Sequence, residues 1–197
     1  KEYLYYGGLP LVQIRKNDEQ KINELDNATN NLYLSDILNR HSIQNDSILK
    51  DTLMVLSSFV GSPINPSKIE NTFKSVLKKQ ITDETLNIYL KWFQESYLIS
   101  KCIRYDIKGR AYIGTPFKVY FEDIGIKNSL LSYREIDETD IIENIVYNEL
   151  KYRGFKVDVG MVEISVPTDR KDKNGKVIYT KKQLEVDFVA NKGNLKI

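Results

Sequence analysis

A short run near the end of the chain, residues 184–190, alternates apolar and acidic side chains. Apolar residues stand at 184, 186, 188 and 190, whereas Glu185 and Asp187 lie between them. This period of two predicts a β-strand that buries one face. Because alternate residues of a strand share a face, the two carboxylates should stand side by side. Neighbouring carboxylates repel each other, so a fold keeps such a pair for a metal ion, a basic partner or solvent.

Composition limits the class of protein. The 197 residues carry 29 basic and 27 acidic side chains, a net charge of +2, and 41% of them are hydrophobic. These values are typical of a globular protein with one domain or two small ones, and they do not by themselves indicate nucleic-acid binding. The single cysteine, Cys102, leaves no partner for an internal disulfide, which favours a reducing, cytoplasmic location. No apolar run approaches the roughly 18 residues of a membrane span, so no membrane partner is expected.

The first part of the chain has helical periodicity. A long helix is predicted over residues 18–40, with a break at Asn30 and Asn31. The only histidine, His41, follows it, and a helix-terminal or surface role is expected because no second histidine or nearby cysteine completes a metal site. Before this helix, Gly7 and Gly8 break the chain. A phosphate-binding loop is excluded there because no strand precedes the glycines and no Gly-Lys-Ser/Thr follows.

Three shorter helices and a strand pair come next. The helices are predicted from about residue 46 to 59, from Pro66, and from Thr82, which is a favourable N-cap. Strands are predicted at 98–105 and 118–121, with a turn between them. Three helices followed by a strand pair is the order of a winged helix. The third helix begins with acidic residues, which do not suit a phosphate-facing helix. The hairpin is modestly basic, through Lys101, Arg104, Lys108 and Arg110. DNA binding through this wing and a role in packing or protein contacts both stay open.

The last third of the chain predicts a second α/β unit. A helix with an apolar stripe covers 140–153 and ends at Gly154, and Glu143 lies one residue off the stripe. A strand follows at 155–164. A charged hairpin covers 168–182, with its turn at 173–176, and leads into the strand at 184–190.

Seven short motifs occur in a fixed order along the chain. They are YGGLP at 6–10, YLSDI at 33–37, TLNIYL at 85–90, YLI at 97–99, YFEDIG at 120–125, ENIVYNEL at 143–150 and EVDFV at 185–189. Together they resemble the C-terminal region of bacterial and archaeal predicted ATPases of the AAA superfamily. In that family a P-loop ATPase domain precedes this region. The resemblance therefore implies that ATP is bound only through a domain outside this chain, and that this ATPase domain is a partner. The first residue, Lys1, and the strand-like last residues agree with an expected part of a longer protein.

The last segment of that family is similar to the PD-(D/E)xK restriction-endonuclease-like fold. The resemblance implies that Glu143 is the helix acid and Asp187 the strand acid of a Mg²⁺ site. It implies that Glu185 is an accessory acid or a partner of Lys181 or Lys182. The Glu-x-Lys strand that completes such a site is missing, because Lys196 has no acid two residues before it. An active site completed elsewhere and acids left over from an ancestral site both stay open.

The sequence thus predicts an α/β (α+β) fold in two parts. Residues 1–125 form a helical and winged-helix module, and residues 126–197 form a truncated endonuclease-like α/β domain. Missing strands would leave an unpaired sheet edge, which favours a homodimer. The expected function is a non-catalytic effector or interaction region of an AAA-type ATP-binding protein, in contact with nucleic acid. The alternatives are a metal-dependent nuclease and a winged-helix DNA-binding regulator.

Overall fold

The structure, a computed structural model, describes residues 1–43, 46–134, 137–171, 173 and 175–196. Helices and one mixed sheet form an α+β fold, which confirms the predicted fold class. The α-helices are α1 (Glu2–Tyr6), α2 (Pro10–Gln13), α3 (Asp18–Asn27), α4 (Ser35–His41), α5 (Asp46–Ser57), α6 (Pro66–Thr72), α7 (Asp83–Glu95), α8 (Ile124–Leu130) and α9 (Glu138–Tyr152). The strands are β1 (Ile99–Asp106), β2 (Ala111–Phe121), β3 (Lys156–Lys171), β4 (Val177–Lys192) and β5 (Leu195–Lys196). Among the described residues, no helix is both long and apolar enough to cross a lipid bilayer.

The long helix predicted over 18–40 is continuous but changes its pitch. A π-helical segment, Ala28–Leu34, joins α3 to α4, so the break expected at Asn30 and Asn31 is a widened turn. His41 ends α4 and stacks on Trp92 of α7, with ring centroids 4.0 Å apart. The helix-terminal position expected for this histidine is therefore confirmed.

Helices α5 and α6 pack on α7, which in turn packs on β1. Thr82 caps α7, as predicted, since its Oγ1 accepts a hydrogen bond of 3.2 Å from the N–H of Thr85. Between α5 and α6, Ile64 forms a bridge with Phe117 of β2, with N–O distances of 2.8 and 2.9 Å. The apolar residues enclosed by these elements are fully or almost fully buried: Leu53, Leu56, Ile69, Phe73, Leu90, Phe93, Phe117, Val119 and Phe121.

The sheet has the strand order β2-β1-β3-β4-β5. The β1–β2, β3–β4 and β4–β5 pairs are antiparallel, whereas β1 pairs with β3 in parallel, at Arg104–Asp106 and Val159–Met161. Strands from both sides of residue 125 therefore belong to one sheet. The division of the chain into two domains at that residue stays a prediction.

The β3–β4 ribbon is longer than the sequence predicts, because both strands continue into the charged hairpin. Register runs from Lys156 opposite Asn191 to Lys171 opposite Val177. Gly175 has a φ of 77° at the turn, whereas the predicted turn residue Asn174 lies outside the described residues. The outer part of β4 has no covering layer among the described elements.

The predicted buried face of the 184–190 strand is only partly buried. Ala190 is 1% exposed, but Leu184 and Val186 are 40% and 45% exposed. Asp158 faces Val189 and Gly160 faces Val186, so β4 has one extra residue here, as in a β-bulge. The bulge breaks the period of two. Even-numbered residues of β4 therefore lie on one face of the sheet before the bulge and on the other face after it.

The glycine motif at 6–10 and the 120–125 motif interlock. The buried Asp123 carboxylate accepts a hydrogen bond of 2.7 Å from the N–H of Gly8 and one of 3.2 Å from the N–H of Ile126, which caps α8. A Cβ at Gly7 would lie 2.1 Å from Asp123 Oδ1, and one at Gly125 would lie 2.2 Å from the carbonyl oxygen of Tyr6. The glycines are therefore required for this close approach, which ties the N-terminal segment to α8.

We predict that Asp123→Ala lowers the free energy of unfolding by about 3 kcal/mol, because it leaves buried N–H donors without an acceptor. Asp137→Ala is the matched control, since Asp137 also caps a helix, α9, but is exposed. This control should cost about 1 kcal/mol. Urea unfolding measures both values, and equal losses would contradict a buried structural role for Asp123.

Candidate functional site

A buried lysine lies between two carboxylates that come from distant parts of the chain. Lys118 of β2 is 3% exposed, and its Nζ donates to Glu143 Oε1 on α9 at 3.0 Å. The same Nζ is 2.7 Å from Glu185 Oε1 on β4. A helix and two strands that are not neighbours in the sheet therefore meet at one ammonium group. We call these three residues the lysine bridge.

Aromatic residues enclose the helix side of the lysine bridge. Tyr120 lies two residues after Lys118 on β2, and its hydroxyl donates to Glu143 Oε1 at 2.6 Å. The Tyr120 ring stacks on Tyr147 of α9, with centroids 4.2 Å apart, and lies 5.9 Å from the ring of Phe188. One oxygen of Glu143 thus accepts from both an ammonium and a phenol, which fixes the orientation of its side chain.

Two asparagines set the position of α9 against β2. Asn144 is fully buried, and its Oδ1 accepts from the N–H of Phe121 while its Nδ2 donates to the carbonyl of Phe121, both at 2.8 Å. Asn148 Nδ2 donates to the same carbonyl at 2.8 Å. Because Asn144 follows Glu143 directly, these bonds place the glutamate over the strand that carries Lys118.

The two glutamates of the lysine bridge keep Lys118 protonated. Burial alone would lower the pKa of Lys118, but hydrogen bonds to Glu185 and Glu143 outweigh it, so the pKa is raised. Burial also raises the pKa of the Tyr120 hydroxyl, and the adjacent Glu143 carboxylate raises it further. At neutral pH the lysine is therefore a cation and the tyrosine a neutral donor.

Comparison with known proteins gives a family for this chain. A family model described as a domain of unknown function (DUF8612) matches residues 1–137. The chain belongs to this family. An uncharacterized protein of Haemophilus influenzae is 30% identical over 193 residues, which cover 98% of this chain and 43% of that protein. An uncharacterized protein of Methanocaldococcus jannaschii is 29% identical over 189 residues, which cover 95% of this chain and 38% of that protein.

The chain thus spans about two fifths of the length of these curated relatives. No solved structure matches it. The part that matches the DUF8612 model includes Lys118 and Tyr120, whereas Glu143 and Glu185 lie beyond residue 137. The lysine bridge of this DUF8612 protein therefore combines residues from inside and outside the matched segment.

The structure separates the three acids that the sequence singles out. Glu143 and Glu185 converge on Lys118, whereas Asp187 is exposed at the bulge of β4. Within the described ranges, no group of three or more His, Cys, Asp or Glu side chains is placed to hold a metal ion. Lys181, one expected partner of Glu185, instead pairs with Glu163 at 2.6 Å.

Sequence reasoning missed Lys118 and Tyr120. The available signal was the run FKVYF at 117–121, in which a lysine interrupts apolar and aromatic residues. A lysine in such a strand must reach an acid or leave its charge buried without a partner. That requirement indicates an ion pair, but it does not tell which of the 27 acidic residues supplies it.

The predicted wing is packed against the rest of the sheet. Lys101 lies over the ring of Phe117, with Nζ 4.1 Å from the centroid, and burial lowers its pKa. Arg104 Nη2 contacts Met161 and lies 3.4 Å from Gln183 Oε1. Lys108 Nζ donates to the carbonyl of Glu163 at 3.0 Å, and Arg110 is exposed. Three of the four basic residues thus have internal contacts, which reduces the number available to phosphates.

We predict that Lys118→Met lowers the free energy of unfolding by about 3 kcal/mol, since it leaves two partly buried carboxylates facing each other. Adding Glu143→Gln and Glu185→Gln should restore most of the loss, because no uncompensated charge is left. Lys91→Met is the control, since Lys91 is exposed and pairs with Glu95 at 3.7 Å. It should change stability by less than about 0.5 kcal/mol. Failure of the two glutamines to restore stability would show that packing, not charge, holds the site.

The lysine bridge also predicts a pH dependence. Because the pKa of Lys118 is higher in the folded chain than its ordinary value of 10.5, the stabilisation is complete below pH 10.5. It is lost as the pH rises through the folded-state pKa. The difference in unfolding free energy between the native chain and Lys118→Met should therefore be the same at about pH 8 and about pH 10. It should be smaller at about pH 11. Urea unfolding at these values checks it, and a constant difference at all three would contradict the assignment.

Proposed function

We propose that this region acts by binding, as the C-terminal, non-catalytic interaction region of a longer AAA-type ATP-binding protein. The observation that carries the non-catalytic part is the position of the Lys118 ammonium between Glu143 and Glu185. In the endonuclease-like fold that the sequence resembles, a helix acid and a strand acid hold Mg²⁺. Here a fixed side-chain cation neutralises a helix acid and a strand acid.

The donor set does not suit a divalent cation. Mg²⁺ requires near-octahedral oxygen ligands at about 2.0–2.1 Å. To reach both glutamates, the ion would have to displace the ammonium of Lys118, which is 3% exposed and would lose both of its carboxylate partners. Asp187 does not complete the set, because it is exposed at the bulge while Glu143 is turned toward Lys118 and Tyr120. This arrangement of Glu143, Glu185 and Lys118 therefore does not fit a divalent-cation site.

The AAA part of the proposal rests on the ordered motifs and on the relatives. The seven motifs extend from residue 6 to residue 189, so the resemblance covers most of the chain. The curated relatives are more than twice as long as this chain. In this proposal ATP binds to another domain of the longer protein, and the present region contacts that domain.

In this proposal the segment that resembles a winged helix serves for internal packing. Helices α5 to α7, the β1–β2 hairpin and the Ile64–Phe117 bridge occur in the order that such a module requires. The first turn of α7 carries Asp83 and Glu84. The edge of β1 that does not pair with β2 pairs with β3. These features favour internal packing over insertion of α7 and the wing into DNA, which is the function of the regulator alternative.

One observation favours the nuclease alternative. Glu143 from a helix and Glu185 from a strand converge, and a lysine lies with them, although the resemblance assigns the strand acid to Asp187. In this alternative the bridge opens when a metal ion and a substrate bind, and residues outside the chain complete the site. The two proposals differ in what Mn²⁺ does to the chain.

We predict that the native chain neither binds Mn²⁺ in calorimetric titration nor cleaves plasmid DNA in its presence. Lys118→Met should gain weak Mn²⁺ binding, since it frees two carboxylates, and adding Glu143→Gln should remove it. Metal-dependent cleavage by the native chain that is lost in Glu143→Gln would overturn the proposal in favour of the nuclease. Hydrolysis of ATP by this chain alone would contradict the assignment of ATP chemistry to another domain.

A further inference from the structure

The outer half of the β3–β4 ribbon projects from the sheet. We call residues 162–184 the arm, of which the structure describes all but 172 and 174. β1 pairs with β3 only up to Met161, whereas β3 and β4 continue to pair with each other from Val162 opposite Leu184 to Pro167 opposite Tyr179. After an irregularity in the register, Lys171 pairs with Val177. At about 3.3 Å per residue, the β4 strand of this ribbon, from 177 to 184, extends about 25 Å. A two-stranded ribbon of this kind is only marginally stable in water without a partner surface.

The arm carries the net positive charge of the chain. It contains six basic and three acidic residues, whereas the whole chain contains 29 and 27. The remaining residues therefore include 23 basic and 24 acidic side chains, so outside the arm there is no net positive charge to attract a polyanion.

Several of these basic side chains are presented to solvent. Arg170, Lys173 and Lys182 are exposed, and Lys181 is 75% exposed although it pairs with Glu163. The wing adjoins the root of the arm, because Lys108 donates to the carbonyl of Glu163. The exposed Arg110 of the same turn thus extends the basic surface onto the wing.

We propose that the arm binds duplex DNA by lying in its major groove. A two-stranded β-ribbon fits a groove about 12 Å wide, and basic side chains along its edges reach the phosphates on both sides. A single strand offers no such groove. An acidic protein surface would also attract these basic side chains, but it offers no groove of the width that a two-stranded ribbon fits. The inference rests on the proposed function only in that the region acts by binding, and it does not involve the lysine bridge.

The test is fluorescence anisotropy of a labelled DNA duplex about two helical turns long, with the native chain at several salt concentrations. The arm variant combines Arg170→Gln, Lys173→Gln and Lys182→Gln. The matched control combines Lys16→Gln, Lys78→Gln and Lys91→Gln, which removes the same charge from exposed positions elsewhere. Thermal unfolding of each variant checks that it is folded.

The arm variant should bind at least about tenfold more weakly, and its slope of log affinity against log salt should fall by about two to three. The control should stay within about twofold of the native chain, and a single strand of the same length should bind more weakly than the duplex. Equal losses in the two variants, or equal binding of single strand and duplex, would overturn the inference. So would binding that is lost with Val186→Ser but unchanged in the arm variant, since the apolar face of the ribbon would then be the contact surface. DNA cleavage by a chain that still binds through the arm would overturn the proposed function alone.

Discussion

The lysine bridge is the interaction on which the arrangement of the sheet and α9 depends. Lys118 and Glu185 lie on β2 and β4, which are separated by β1 and β3 in the strand order. Burying an ammonium costs several kcal/mol unless charge and hydrogen bonds compensate. Two carboxylates provide that compensation only when α9 and β4 are both in place. The bridge therefore contributes less to stability than its distances suggest, and it favours one arrangement of three elements over others.

The helices and their ends follow from local chemistry, which is why the sequence predicts them. Thr82 precedes an amphipathic stripe, and its cap is local enough to be recognised from neighbouring residues. The start of β2 is missed because Gly114 and Pro116 weaken the strand pattern, although pairing with β1 extends β2 back to Ala111. The asparagines at 30 and 31 mark where the helix changes its pitch between α3 and α4, but they do not predict that the change is a π-helical segment.

The candidate site is less predictable, because its contacts are non-local. The sequence identifies Glu143 and Glu185 as acids of interest, but the residue that joins them, Lys118, lies 25 positions before the first and belongs to another strand. The one-residue bulge in β4 is equally invisible in the pattern. It includes Asp187, so the alternation no longer determines which face of the strand this acid occupies. A period of two predicts faces correctly only while the strand is regular.

The contacts of β2 have a further consequence for the association of the chain. β2 is the first strand of the sheet, so its outer edge presents backbone groups that could pair with a strand from another molecule. At Phe121 the side chain of Asn144 bonds both the N–H and the carbonyl, in the way a neighbouring strand would. At Phe117 the backbone of Ile64 does the same. The molecule thus has edge protection built from one amide side chain and one loop residue, and at Phe117 and Phe121 the backbone groups of β2 are already paired.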